Sequence, residues 1–121
     1  MANLTAKIEL NTSTVAAENF NFSLTNQFSV KNPVVQTATA DIAHDADTSV
    51  VTPAAGAAAY VWVYNKDATN YIKIKLAGTE LLRVGPGEAN LICVDSSRAC
   101  ALRADTATCK CEYGYFTLDK Y

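Results

Sequence analysis

The one histidine, His44, stands in a His44-Asp45-Ala46-Asp47 run. Nucleophilic catalysis needs a Ser, Cys or Thr beside a base that a third group orients. The composition around His44 is that of a loop, so His44 reads as a solvated loop residue. Paired carboxylates support glycoside hydrolysis when held about 5–10 Å apart with an apolar pocket raising one pKa. Asp45 and Asp47, with Glu80 and Glu88, are the nearest candidates, and all fall in apparent loops or turns. Asp41, Asp45 and Asp47 supply oxygen ligands of the kind Ca²⁺ takes, without the glycine and closing bidentate Glu of an EF-hand loop. Gly85-Pro86-Gly87 matches neither G-x-G-x-x-G nor G-x-x-x-x-G-K and reads as a turn. No catalytic residue, cofactor or metal site is therefore expected.

Two further sets have chemistry to offer. Cys93, Cys100, Cys109 and Cys111 could pair as disulfides or bind a metal. Cys109 and Cys111, two apart on a strand, point to one face and lack the curvature of a C-x₂₋₄-C metal turn. With no secretory context, buried free thiols are the expected state. Tyr60, Trp62 and Tyr64 share one face of a strand and could stack on sugars. Between valines, however, such a set more often serves as core or subunit interface.

The elements that must position these residues follow from composition and periodicity. The 121 residues suit one domain, and with half of them apolar and 18% charged a packed core is expected. The net charge of −2 and pI near 5.2 argue against nucleic acid, which requires a basic stripe; Lys73 and Lys75 read as a solvated face. MANLTAKIEL has no basic start followed by an apolar stretch, and no run approaches the ~18 apolar residues of a membrane span. A soluble protein made in the cytoplasm is expected.

Period-two alternation predicts strands over 4–10, 20–30 and, more polar and suited to a sheet edge, 34–41. Residues 12–19 read as a loop or a single helical turn. Residues 43–59, with Pro53 and Gly56, read as a long connection crossing between sheets. The spacing predicts a hairpin of Tyr60–Tyr64 and Tyr71–Leu76 across the Asn65–Asn70 turn. Strands follow over 80–84, 89–94, 99–104 and 108–118, with turns at Gly85-Pro86-Gly87-Glu88, 95–98 and Asp105-Thr106. Eight or nine short strands without a helix predict an all-β antiparallel sandwich, jelly-roll-like, as a single domain over 1–121. Leu91 and Cys93 oppose Ile92 and Val94, while Tyr113 and Tyr115 oppose Phe116 and Leu118. Strands apolar on both faces predict that another subunit, or the chain's own long loop, covers part of the outside. The candidate interface is Tyr60, Trp62, Tyr64, Leu91, Tyr113, Tyr115, Phe116 and Leu118.

The segments YVWVYN (60–65) and NYIKIKL (70–76), the turn Gly85-Pro86-Gly87-Glu88, and the stretch from Leu102-Arg103-Ala104-Asp105-Thr106-Ala107 through Glu112-Tyr113-Gly114-Tyr115-Phe116 resemble small virion proteins of tailed bacteriophages. There a strand ending in Asn leads through a D-x-T-N-Y turn, a PGE turn precedes the next strand, and ADTA…EYGYF closes the domain. The resemblance covers residues 60–118. It implies a β-sandwich or jelly-roll module on the capsid exterior or in the tail, assembled in the bacterial cytoplasm and therefore needing no export signal. The expected role is a non-enzymatic capsid decoration (cement) protein that self-associates and binds capsid subunits, with no nucleic-acid or membrane partner. A tail or baseplate component is the alternative within that class, and a carbohydrate-binding, adhesin-type module the alternative outside it.

Overall fold

The computed structural model describes residues 2–11, 21–30, 36–95 and 97–118. Their ordered elements are ten strands: β1 (Ala2–Asn11), β2 (Asn21–Val30), β3 (Gln36–Ile42), β4 (Thr48–Val51), β5 (Ala58–Asn65), β6 (Ile72–Leu76), β7 (Thr79–Val84), β8 (Ala89–Val94), β9 (Cys100–Ala104) and β10 (Cys109–Leu118). All pairings are antiparallel. The region assigned to a loop or helical turn at 12–19 lies outside the described residues.

Strands β3 to β10 are wound as nested pairs. β6 pairs with β7, β5 with β8, β4 with β9 and β3 with β10. Rolling this long double ribbon brings β10 beside β5 and β9 beside β6. The result is a sheet with the order β3-β10-β5-β8 and a second with the order β4-β9-β6-β7, the arrangement of an eight-stranded jelly roll. The N-terminal β1–β2 pair extends the first sheet, joined to it by a single register position, Val30 opposite Leu118.

The core forms where the inward alternate residues of the two sheets meet. Ile42, Val61, Val63, Val94, Cys109 and Cys111 come from one sheet, and Ile72, Ile74, Val84, Cys100, Leu102 and Ala104 from the other. In β9 and β10 this alternation is visible as strict buried–unburied patterns over Cys100–Ala104 and Cys109–Cys111.

The anticipated hairpin across Asn65–Asn70 does not form. β5 lies in one sheet between β8 and β10, and β6 lies in the other between β7 and β9. The reason is the buried Asn65, whose side chain turns the chain out of its own sheet. Its Nδ2 donates to the carbonyls of Asn70 (2.9 Å) and Val84 (3.0 Å), and its Oδ1 accepts from the Asp67 N–H (2.9 Å). Asp67 completes the corner by accepting from the Thr69 and Asn70 N–H groups at 3.0 and 2.7 Å. The true local hairpin is β6–β7, closed by Ala77-Gly78 with φ of 52° and 82°. Positive φ at both central residues is the two-residue turn whose twist matches a hairpin.

The segment 43–59 also holds a strand that loop signals concealed. β4, Thr-Ser-Val-Val, is β-branched at three of its four positions and pairs with β9 through a bulge between Ser49 and Val51. The chain thus crosses to the second sheet and back within that connection. The more polar β3 does lie at an edge, paired with β10 on one side.

Candidate functional site

Three surfaces stand out once the core is filled. The first is the outer face of the β3-β10-β5-β8 sheet. Register places Trp62 between Leu91 and Gly114, Tyr60 between Cys93 and Phe116, and Tyr64 between Ala89 and Glu112. Burial grades along β5, from fully buried Ala58 through half-buried Tyr60 and Trp62 to Tyr64 at 41% exposed. Leu91 beside Trp62 is 40% exposed, while Phe116, stacked on Tyr60 at 5.4 Å, and Leu118 are buried. Of the eight candidate interface residues, six therefore share this outer face: Tyr60, Trp62, Tyr64, Leu91, Phe116 and Leu118. Tyr113 and Tyr115 sit on the opposite, inward side and pack against the core. The exposed end of the patch is Trp62, Tyr64, Leu91 and Cys93.

The four cysteines are free, and Cys100, Cys109 and Cys111 are buried. Burial among apolar neighbours pushes the Cys100 thiol up to about 11 and the Cys111 thiol likewise to about 11. Cys109 is raised too, first by desolvation and then by the Asp67 charge. Such thiols are poor nucleophiles at neutral pH. Cys93, expected inside, is exposed, because it falls on the outward alternate of β8.

The second surface is the β1–β2 ribbon. Its register sets apolar against apolar at Ala2↔Val30, Leu4↔Phe28, Ile8↔Leu24 and Leu10↔Phe22, interrupted at Ala6↔Asn26, with polar pairs on the other alternate. On one face Ile8 and Leu24 are 45% and 42% exposed, and on the other Thr5, Lys7, Glu9, Ser23, Thr25 and Gln27 are exposed as well. Ten-residue strands make the ribbon ~33 Å long. Two strands alone are marginal in water, so an element built this way calls for something to lie against. The alternation in 4–10 and 20–30 identified the strands but not their projection from the sandwich.

The third surface is a charged cleft of about 440 Å³ on the outer face of the second sheet, lined by His44, Lys73, Lys75, Glu80, Arg83, Arg103 and Asp105. Arg83, Lys73 and Arg103 lie directly opposite one another across β7, β6 and β9. Like charges in that relation repel, and each is answered by a carboxylate: Arg83 by Glu80 at 3.1 Å, Lys73 by Asp105 at 3.4 Å, Arg103 by Asp47 at 3.5 Å. Lys75 meets Asp47 at 3.0 Å. The bulge at Leu81 makes the arrangement possible, because it sets Glu80 rather than Leu81 opposite Lys75. The Tyr71 phenol donates to Asp105, which raises its pKa, and its ring lies 4.6 Å from the Arg83 guanidinium carbon. Lys73 and Lys75, expected as solvated, are thus ion-paired and half-buried; the gathering of Arg83, Arg103 and Asp105 around them follows no motif spacing in the sequence.

Among the residues lining the cleft there is no Ser, Thr or Cys to accept activation by His44, whose carbonyl accepts from the Arg103 Nε at 3.0 Å. Glu80 lies in β7 rather than in a loop, and Glu88 caps its turn by accepting from the Gly85 N–H at 2.7 Å. Among the described residues no three His, Cys, Asp or Glu side chains gather to hold a metal ion, Asp41, Asp45 and Asp47 included. No helix among the described residues is long and apolar enough to cross a membrane.

The Asn65–Asn70 corner, the 85–88 turn and the 105–107 turn meet at one end of the sandwich. Asn65 and the 85–88 turn are joined by Asn65 N–H to Glu88 O and Gly87 N–H to Asn65 O, at 2.9 and 3.0 Å. Asn70 Nδ2 donates to Ala107 O at 2.7 Å, tying the D-x-T-N-Y corner to the ADTA turn. These residues hold the jelly roll closed. Comparison with family models and with curated proteins finds no match to this chain.

Proposed function

We propose that the chain is a non-enzymatic structural protein of a tailed-phage virion, a capsid decoration protein that self-associates and lies across neighbouring capsid subunits. The observation that carries this reading is apolar surface left outside a complete core: Ile8 and Leu24 on the ribbon, and Tyr64 and Leu91 on the outer sheet. Exposed apolar groups on two continuous elements favour a protein neighbour. The resemblance of residues 60–118 to phage virion proteins supplies the particle. The cleft is consistent with a structural role, since Lys73, Lys75, Arg83 and Arg103 are each held in an ion pair. A decoration protein needs no chemistry; an interface of roughly 1,600 Å², repeated over a shell, reinforces it by avidity.

Co-sedimentation with emptied capsids tests the reading. Saturable binding at a fixed ratio to the capsid subunit is expected. Absence of binding rejects the head location, and labelled protein found on tails by electron microscopy would make it a tail or baseplate component.

One observation favours a second reading. Half-buried Trp62 and exposed Tyr64 share a face, an arrangement on which a sugar ring can stack. Host polysaccharide would then shift the fluorescence of Trp62, the chain's one tryptophan; an unchanged spectrum discards this alternative.

A further inference from the structure

We infer that two copies of the chain join through the edge of β1 that is free among the described residues, antiparallel about a twofold axis at Ile8, to make one continuous β2-β1-β1-β2 sheet. This specifies the self-association proposed above and is independent of where the protein sits on a particle.

The case starts from the edges. A strand edge with unpaired N–H and C=O groups is a template for another strand, and proteins blunt such edges with short strands, bulges, prolines or charge. Among the described edge strands, β7 and β4 carry bulges and run for six and four residues, and β8 and β3 run for six and seven. β1 runs for ten residues with an uninterrupted register to β2 and no proline, and it ends the sheet order. Among the described residues the outer edge of β2 is open as well, over Asn21–Ser29, but it carries no charged side chain to fix a register, whereas β1 carries Lys7 and Glu9.

Its one guard against a second strand is Lys7, and Glu9 cancels it. The two side chains are 2.8 Å apart along the strand and exposed. Antiparallel pairing about residue 8 sets position i against 16 − i of the partner. Lys7 then faces Glu9 of the second copy, Glu9 faces its Lys7, and Ile8 meets Ile8. Centring on Lys7 or on Glu9 would instead oppose like charges, which is destabilising. Charge thus selects the twofold at Ile8. The same register keeps Ile8 and Leu24 of both copies on one face, so the exposed apolar pairs merge into a single patch. Four strands with a shared apolar face are also stable where two are marginal.

Sedimentation equilibrium of four proteins tests this: the wild type, Lys7→Glu, Glu9→Lys and an equimolar mixture of the two variants. The wild type is expected to dimerise. Lys7→Glu leaves both positions acidic and Glu9→Lys leaves both basic, so each alone is expected to weaken the dimer at least about tenfold. Mixing them restores opposite charges at every contact, and a heterodimer of near wild-type affinity is expected. An ion pair confined to one strand could not be rescued by mixing. Variants as dimeric as the wild type, or weakened variants whose mixture stays monomeric, would overturn this edge pairing while leaving self-association standing. A wild type that is monomeric at high concentration would overturn both.

Discussion

Asn65 is the buried polar side chain on which the β5–β6 corner depends, and its amide is fully used. Asn65→Ala leaves the Val84 and Asn70 carbonyls without a donor, and a loss of about 2–4 kcal/mol is expected in urea denaturation. The core thiols make stability sensitive to alkali. Cys100 and Cys111 hold their protons in the folded state up to about 11, whereas the unfolded chain releases them from about 9. Over that window the unfolded state binds fewer protons, so stability present at neutral pH falls as pH rises. Cys100→Val with Cys111→Val is expected to flatten that part of the profile, read from denaturation midpoints between pH 8 and 11. Much at this scale could be read from alternation alone: Val61, Val63 and the buried cysteines of β9 and β10 follow it. What alternation could not decide was which alternate faces inward where both are apolar, and so Tyr113 and Tyr115 were grouped with Phe116 and Leu118 although they point to opposite sides.

At the scale of the element, the two-residue turn Ala77-Gly78 is the clearest place where the residue present is not the one the backbone favours. Ala77 holds φ of 52°, a region that costs an L-residue with a Cβ about 1–2 kcal/mol and that asparagine tolerates. Ala77→Asn is expected to raise stability by about 0.5–1 kcal/mol, measured in the same urea titration. This turn was legible only as the end of a hairpin assigned to the wrong partner. Tyr60–Tyr64 and Tyr71–Leu76 each alternate cleanly, and a six-residue Asn- and Asp-rich link suits a hairpin or a sheet-to-sheet corner equally well. Nearest-neighbour periodicity contains nothing that separates the two; the buried amide of Asn65 does. β4 was missed for a related reason. Four residues are too few to establish a period beside Pro53 and Gly56, and its strand character comes from pairing with β9, some fifty residues away.

The whole molecule separates into a body whose jelly-roll topology satisfies its own polar groups and a ribbon that does not bury itself. The sandwich class was within reach of strand spacing, and so was the presence of apolar residues on an outer face. The location of that surface was not, because it depends on which edges remain open after winding. The winding also governs how the chain reaches its fold. Each nested pair encloses the one before it, and only the innermost, β6–β7, forms across a two-residue loop. Closing a short loop costs least entropy, and the wider pairings become local only after the inner ones have formed. Assembly therefore starts near the middle of the jelly roll and spreads outward to β3 and β10. A gain at Ala77 should accordingly be felt as faster folding more than as slower unfolding. The β1–β2 ribbon meets this body at Val30 opposite Leu118, on the strand whose pairing with β3 closes last.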